Sequence, residues 1–271
     1  MITYAIDGIL GNNDWYISDV TVTWEVSDPE SGIASTSGCD TTTIDSDTTG
    51  VTLTCTAING ADLSSSVSVT IKRDATPPTV SIEGISDGAQ FDFGDPLPSV
   101  SPACNDNLSG IASCTITPSP PPTSVGSYTI TATAGDNAGN TASTSTTYTI
   151  VAWTIVGFKP PVDNPPVLNV VKNGSTVPLK FEVFKTISGE ELTDTSIVKQ
   201  PLKAQKIVCS TLNSPTDEVE LTATGVTSLR YDETEGQFIY NWKTPTQKDT
   251  CWKVTIEFQD GSSIYAYFRL K

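Results

Sequence analysis

Two short acidic segments repeat along the chain. "SDPESGIAS" covers residues 27–35, and "NDNLSGIAS" covers residues 105–113. The first contains Asp28 and Glu30, and the second contains Asn105 and Asp106. Carboxylate and amide oxygens are ligands that Ca²⁺ takes in proteins. Each segment therefore indicates either a cation site or a turn that a repeated module needs.

A second oxygen-rich turn follows each of these segments, "INGAD" at residues 58–62 and "GDNAGN" at residues 135–140. Loops separated by several strands of a β-sandwich can meet at one end of it, and Ca²⁺ needs about six to eight oxygens. We therefore predict one calcium site in each of two modules. The predicted ligands are Asp28, Glu30, Asn59 and Asp62 in the first module, and Asn105, Asp106, Asp136, Asn137 and Asn140 in the second. The alternative is that Asp and Asn only close turns through local hydrogen bonds.

Alternating segments predict the elements that position these loops. In "DVTVTWEVSD" Val20, Val22, Trp24 and Val26 alternate with polar residues, and "GVTLTCTA" and "SVSVTI" alternate in the same way. Such alternation is typical of half-buried antiparallel strands. The runs are separated by Gly, Asn, Asp and Ser, which are the residues that turns require. The sequence therefore predicts an all-β chain.

The length and an internal repeat predict three modules. A chain of 271 residues exceeds what one hydrophobic core usually serves. The pattern of the first 76 residues recurs in residues 77–152, after a Pro-rich joint, "DATPPTV". Residues 153–271 alternate again, in "PLKFEVF" and "CWKVTIEF". We predict three consecutive β-sandwich domains with short Pro-rich joints, at residues 1–76, 77–152 and 153–271.

Six cysteines indicate an oxidising location. They lie at Cys39, Cys55, Cys104, Cys114, Cys209 and Cys251, and the sequence contains neither a CxxC pair nor a histidine, which argues against a zinc site. If each domain keeps its own pair, the disulfides are Cys39–Cys55, Cys104–Cys114 and Cys209–Cys251. Buried free thiols are the alternative. Disulfides place the chain outside the cell or in a periplasm.

The charge distribution excludes some partners. The net charge is −16, and residues 1–152 hold 17 acids and only two bases, Lys72 and Arg73. Such a surface repels phosphate backbones, so we expect no nucleic acid partner. The sequence contains no apolar run long enough to span a membrane, and it begins without the basic and apolar regions of a signal peptide.

Catalysis is not expected. Without histidine neither a Ser-His-Asp triad nor a Cys-His pair can form. Aromatic residues instead raise the question of glycan binding. Trp24 and Trp252 lie on the apolar side of their strands, whereas Trp15, Tyr240 and Trp242 are the candidates for an exposed glycan or partner surface. Burial in a sandwich core is the alternative for these three.

Parts of the chain resemble known families. "GNNDWYISDVTVTWEVSDPESGIAS", "RDATPPTV" and "AGDNAGN" resemble the immunoglobulin-like repeats of large bacterial and archaeal surface or secreted proteins. Residues 153–271 are similar to the PxKF domain, whose signature is Pro178-Leu179-Lys180-Phe181 here. The resemblance implies immunoglobulin-like sandwiches and no catalytic activity.

We therefore predict a non-catalytic structural or adhesive segment of a secreted or cell-surface protein, stiffened by Ca²⁺. Its partners are other extracellular domains or surface glycans. The alternative is a polysaccharide-binding accessory region of a secreted enzyme. The first residues, "MITYAI", alternate well, and we expect a strand of the chain's own sandwich. Donation of this strand to a neighbouring subunit, which would polymerise the chain, is the alternative.

Overall fold

The chain is built from β-strands. A computed structural model describes residues 1–212, 218–220 and 229–271. Within these residues the strands form six sheets, which fall into three consecutive pairs along the chain, and one short 3-10 helix, Thr195–Ile197, is present. The prediction of an all-β chain of sandwiches is confirmed.

The first pair of sheets has strand orders β1-β3-β5 and β2-β7-β6-β4. Its strands are β1 (Ile2–Asp7), β2 (Trp15–Tyr16), β3 (Val20–Val26), β4 (Ile33–Ser37), β5 (Thr42–Ile44), β6 (Thr48–Asn59) and β7 (Ser64–Arg73). Val20, Val22 and Trp24 from one sheet pack against Cys55 and Ile71 from the other. Strand β1 pairs along its whole length with β3, so it belongs to its own sandwich as expected.

The second pair has strand orders β10-β8 and β11-β12-β13-β9. Its strands are β8 (Thr79–Glu83), β9 (Ala89–Asp92), β10 (Ser101–Asn105), β11 (Ile111–Thr117), β12 (Gly126–Asp136) and β13 (Thr141–Val151). Small residues, Ala132, Ala134 and Ala138, are fully buried here beside Ile130.

The third pair has strand orders β14-β16-β20-β19 and β15-β22-β21-β17-β18. Its strands are β14 (Thr154–Val156), β15 (Leu168–Val171), β16 (Thr176–Phe184), β17 (Lys203–Ile207), β18 (Glu218–Glu220), β19 (Arg230–Asp232), β20 (Gln237–Lys243), β21 (Thr250–Glu257) and β22 (Ser263–Leu270). Phe181 is fully buried, with its ring 5.2 Å from that of Phe238 and 5.7 Å from that of Phe258. The four PxKF signature residues, of which Phe181 is the last, all lie on β16.

The described residues group into two compact units. Unit 1 comprises Met1–Asp87, Pro98–Pro121 and Thr129–Thr147. Unit 2 comprises Gly88–Leu97, Pro122–Tyr128 and Tyr148–Lys271. The domain boundaries after residues 76 and 152 stay predictions.

The repeated segments adopt the same local structure. Gly32 (φ +74°) and Gly110 (φ +82°) occupy the left-handed region, which costs glycine little and other residues more. Strands β4 and β11 follow them directly, and each has a bulge at its second residue, Ala34 or Ala112. The repeated "SGIAS" is therefore a turn that starts an edge strand. The three predicted disulfides, Cys39–Cys55, Cys104–Cys114 and Cys209–Cys251, are present.

The exposure prediction for three aromatic residues is wrong. Trp15, Tyr240 and Trp242 are only 9%, 5% and 1% exposed. Trp15 lies on β2 beside β7, where the Lys72 ammonium sits 5.1 Å from the centre of its ring. Tyr240 and Trp242 lie on β20, which pairs with β16 on one side and β19 on the other. These residues are therefore not available to a glycan.

Truncation of Phe181 tests the core of unit 2. Phe181→Ala removes a fully buried ring and should lower the free energy of unfolding by about 3–5 kcal/mol. Urea denaturation monitored by tryptophan fluorescence measures this loss. Ser263→Ala, an exposed position on β22 of the same unit, should change it by less than about 0.5 kcal/mol. Equal losses in the two variants would show that Phe181 does not support the core.

Candidate metal centre

Three carboxylates converge in unit 1. Asp74, Asp106 and Asp136 each place a carboxylate oxygen within 4.8 Å of the other two. Asp74 and Asp136 are 0% and 2% exposed, and Asp106 is half-buried. Asp74 follows β7, Asp106 follows β10, and Asp136 ends β12. Three segments that are distant in sequence therefore meet at this cluster, which we call the acidic cluster.

Backbone N–H groups hold each carboxylate in place. Asp106 Oδ1 accepts hydrogen bonds from the N–H groups of Leu108 and Gly110, at 3.1 and 2.6 Å. Asp136 Oδ1 accepts from Gly139 and Asn140, at 2.7 and 2.8 Å. The positions of the carboxylates are thus set by their own turns.

Asp74 links the joint to the same cluster. Its carboxylate accepts hydrogen bonds from the N–H groups of Thr76 and Ser109, at 3.2 and 3.1 Å. The Asn140 amide donates to the Asp74 carbonyl and to Asp136 Oδ2, at 2.9 Å in each case. These bonds connect the Pro-rich joint to both turns of the second sandwich.

The acidic cluster lacks a cationic side chain. Among the described residues, no lysine or arginine forms an ion pair with Asp74, Asp106 or Asp136. Neighbouring Arg73 instead pairs with Asp19 and Asp47, at 2.8 and 2.5 Å. Carboxylates this close repel one another, and burial makes the repulsion stronger than in water. The acidic cluster is therefore the candidate cation site.

The Asp47 carboxylate accepts hydrogen bonds from two residues of the Pro-rich joint, Ala75 and Thr76. Burial alone would raise the pKa of its carboxyl group, but hydrogen bonds from Thr76 and Ala75, together with the charge of Arg73, lower that pKa overall. Asp47, Asp74, Asp106 and Asn105 also line an open cavity of about 320 Å³. Water can reach the acidic cluster through this cavity, and the other residues that line the cavity bring further oxygen atoms near the cluster.

The loop that carries Asp136 also contacts the first sandwich. The N–H of Asn12 donates to the Ala138 carbonyl at 2.8 Å, and the Asn13 amide donates to the Asn137 carbonyl at 2.9 Å. A Cβ atom at Gly11 would overlap the Ala138 carbonyl oxygen, so the close approach requires glycine there. Any ligand that orders the 136–140 turn therefore also orders this contact.

The equivalent turns of the first sandwich hold one carboxylate and one amide. Asp28 corresponds to Asp106, and Asn59, which pairs with Ile33, corresponds to Asp136, which pairs with Ile111. The Asn59 amide donates to Asp28 Oδ2 at 2.8 Å, while its own oxygen accepts from Ala61 and Leu63. In the first sandwich the Asn59 amide thus donates to Asp28, whereas in the second sandwich a carboxylate, Asp136, faces Asp106.

The predicted ligands divide accordingly. The structure brings Asp106 and Asp136 together, and Asn140 lies beside them. Asn105 bonds to Asn107, and Asn137 bonds to the Ser109 carbonyl. Glu30 and Asp62 are exposed, so calcium binding in the first sandwich stays a prediction. Asp74 was missed, although its place directly before "ATPP" at a module joint was a usable signal.

The comparisons with known proteins concern the fold. No family model matches the sequence, and no curated protein matches it. The resemblance to the PxKF domain therefore stays a prediction. Among the described residues, no helix is long and apolar enough to span a membrane.

Solved structures of adhesion proteins are similar at low identity. The N-terminal eight Ig domains of Down Syndrome Cell Adhesion Molecule match at 12% identity and a TM-score of 0.31, covering 100% of this chain and 36% of that one. This chain thus spans about a third of that structure. A solved chain from a 1.5-MDa bacterial ice-binding adhesin matches at 13% identity and a TM-score of 0.30, covering 100% of this chain and 98% of that solved chain. A tetra-tandem repeat in the extending region of a large adhesion protein matches at 15% identity and a TM-score of 0.32, covering 98% of this chain and 72% of that one.

Acidification tests the Asp28 turn of the first sandwich. Hydrogen bonds from the N–H of Ser31 and then from the Asn59 amide lower the pKa of Asp28 to about 2. A lowered pKa stabilises the folded state above the ordinary Asp value, and this contribution disappears as pH falls towards the folded value. Asp28→Ala should therefore melt below the unchanged protein at pH 6, and the difference should shrink between about pH 4 and pH 2. A difference that persists unchanged at pH 2 would contradict this role.

Proposed function

We propose that the chain is a non-catalytic structural and adhesive segment of an extracellular protein. In this proposal Ca²⁺, bound by Asp74, Asp106 and Asp136, fixes the joint between the first two sandwiches. The observation that carries the proposal is the acidic cluster itself, in which two carboxylates are buried and no described lysine or arginine forms an ion pair with the three.

The residues present suit a hard cation. The cluster supplies carboxylate oxygens, and the chain has no histidine, while all six cysteines form disulfides. Oxygen ligands alone favour Ca²⁺ or Mg²⁺ over zinc. Mg²⁺ demands a near-ideal octahedron, whereas Ca²⁺ accepts irregular sets that include backbone carbonyls and water. Three carboxylates do not complete the coordination of either ion, and the irregular completion by carbonyls and water that Ca²⁺ accepts favours Ca²⁺ in this proposal.

A cation here would stiffen the joint. Asp74 belongs to the segment that leaves β7, while Asp106 and Asp136 belong to turns of the second sandwich. One ion that contacts all three would restrict rotation at the Pro-rich joint. The contact between Asn12 and Ala138 lies next to Asp136 and would be ordered with it.

The chemistry of the chain supports an extracellular, non-catalytic role. Three disulfides are typical of proteins that fold in an oxidising environment. The absence of histidine from the sequence removes the usual general base at neutral pH. The alternative, a polysaccharide-binding accessory region, loses the aromatic residues that suggested it because these are buried.

Thermal melting in EDTA and in millimolar Ca²⁺ tests the proposal. At a hundredfold excess over the dissociation constant, binding stabilises the folded state by about 2.7 kcal/mol, which should raise the melting temperature by roughly 10 °C. Asp136→Asn should abolish this increase. Its amide keeps the oxygen that accepts from the N–H groups of Gly139 and Asn140, but it replaces Oδ2, which accepts from the Asn140 amide.

Two controls make the test specific. Glu30→Gln removes a charge from an exposed residue outside the acidic cluster and should leave the calcium response unchanged. Each variant is compared with its own melt in EDTA, so the loss of the Asn140 hydrogen bond in Asp136→Asn does not enter the calcium response. A calcium response that survives in Asp136→Asn, or no response in the unchanged protein, would refute the proposed site.

A further inference from the structure

We propose that the Cys104–Cys114 disulfide is a redox control on the acidic cluster. With the bridge closed the cluster binds Ca²⁺ tightly, and reduction of the bridge by a dithiol weakens this binding. The inference rests on the proposed function, because it names the regulation of the same site. The residues that form the bridge and the cluster all lie in unit 1.

The bridge closes the segment that carries Asp106. Cys104 lies on β10, two residues before Asp106, and Cys114 lies on β11, four residues after Gly110. The two strands belong to different sheets of the second sandwich. The bridge therefore joins these sheets beside the turn that supplies one carboxylate of the acidic cluster.

The bridge holds the β10 side of this turn. On the β11 side, the Gly110 carbonyl accepts a hydrogen bond from the N–H of Asn137 at 2.8 Å, which ties the turn to the loop after β12. On the other side Asp106 follows β10, whose strand partner among the described residues is β8 alone. A two-stranded ladder is only marginally stable by itself. The Cys104–Cys114 bridge is thus the covalent link that keeps Asp106 close to the rest of the cluster.

Charge repulsion gives the bridge its effect on cation binding. Without a cation the carboxylates of Asp74, Asp106 and Asp136 repel one another, and Asp74 and Asp136 are buried. A closed bridge holds Asp106 in place against this repulsion, so the site is formed before the cation arrives. An open bridge lets β10 move away with Asp106, and binding must then bring them back. Preorganisation of this kind raises affinity because binding has less to order.

The first sandwich supports this link between bridge and cluster. Val26 stands two residues before Asp28, in the place that Cys104 takes before Asp106. The disulfide of the first sandwich, Cys39–Cys55, instead connects β6 to the segment that follows β4, its neighbour in the same sheet. Of the two repeated turns, a bridge therefore flanks only the turn that belongs to the acidic cluster.

Reduction of the bridge follows ordinary thiol–disulfide exchange. Cys114 is exposed, so a thiolate of the dithiol can attack its sulfur and break the S–S bond. The Cys104 sulfur leaves as a thiolate and takes a proton. The second thiol of the reductant then displaces Cys114 from the mixed disulfide. The protein gains two electrons and two protons, and the reductant is oxidised to its own disulfide.

The calcium affinity of chains with and without the bridge tests the proposal. Isothermal titration calorimetry measures the dissociation constant for Ca²⁺ of the unchanged chain and of the double variant Cys104→Ala, Cys114→Ala. This variant should bind Ca²⁺ about tenfold more weakly, or weaker still, because the site is no longer preorganised. The matched double variant Cys39→Ala, Cys55→Ala removes the other bridge of unit 1 and should keep the dissociation constant of the unchanged chain.

A redox titration of the unchanged chain gives a second readout that needs no cysteine substitution. By linkage, Ca²⁺ must stabilise the closed bridge by the same factor by which the bridge raises calcium affinity. Alkylation and peptide mass spectrometry measure the reduced fraction of Cys104–Cys114 in dithiothreitol buffers of graded redox ratio. Ca²⁺ should shift the ratio at half reduction about tenfold relative to EDTA. The shift should vanish in Asp136→Asn.

The outcomes separate this inference from the proposed function. Three results would overturn the redox control: equal calcium affinity with and without the Cys104–Cys114 bridge, an equal loss of affinity in the two double variants, or a reduced fraction that Ca²⁺ does not change. In each case the calcium response of the unchanged chain in thermal melting still supports the site. If the unchanged chain shows no calcium response, the site itself is wrong, and the redox control is wrong with it.

Discussion

Repulsion between buried carboxylates is the constraint on which the first joint depends. The backbone turns of the second sandwich fix Asp106 and Asp136 with N–H donors, and the chain direction after β7 brings in Asp74. These donors offset part of the cost of burying charge, but they do not neutralise it. These three carboxylates are the ligands that the proposed cation would take.

The first sandwich resolves the same geometry differently. Its turn has one carboxylate, Asp28, and the facing position carries Asn59, whose amide donates to it. The aspartate and the glycine of the repeated segment build the turn in both modules, because each turn needs an acceptor for its N–H groups and a left-handed residue. The facing residue decides whether the turn holds a single carboxylate or joins a cluster of three. The same backbone turn therefore carries a single carboxylate in the first sandwich and belongs to a cluster of three in the second.

Much of the fold could be predicted from the sequence because it depends on local patterns. Alternation at Val20, Val22 and Trp24 identified a strand and its inner side, and the repeat located the edge strands after Gly32 and Gly110. Alternation does not tell whether the other side of a strand is covered. Trp15 is buried beneath Lys72 from a distant strand, and Tyr240 and Trp242 lie on the face of β20 that packs into the core of the third sandwich. Those contacts are tertiary, and no local spacing reports them.

The candidate site was predictable only in part for the same reason. Asp106 and Asp136 could be paired because a sandwich brings such loops to one end, but Asp74 enters through the path of the joint. The choice between a turn and a cation site also depends on which groups face each other across the sheet register. Asn59 and Asp136 differ only in that one carries an amide and the other a carboxylate. Only the pairing of β4 with β6 and of β11 with β12 shows that they occupy equivalent positions. The repeated segment is therefore a turn in both modules, and in the second module Asp74 and Asp136, both outside the segment, join its Asp106 in the acidic cluster.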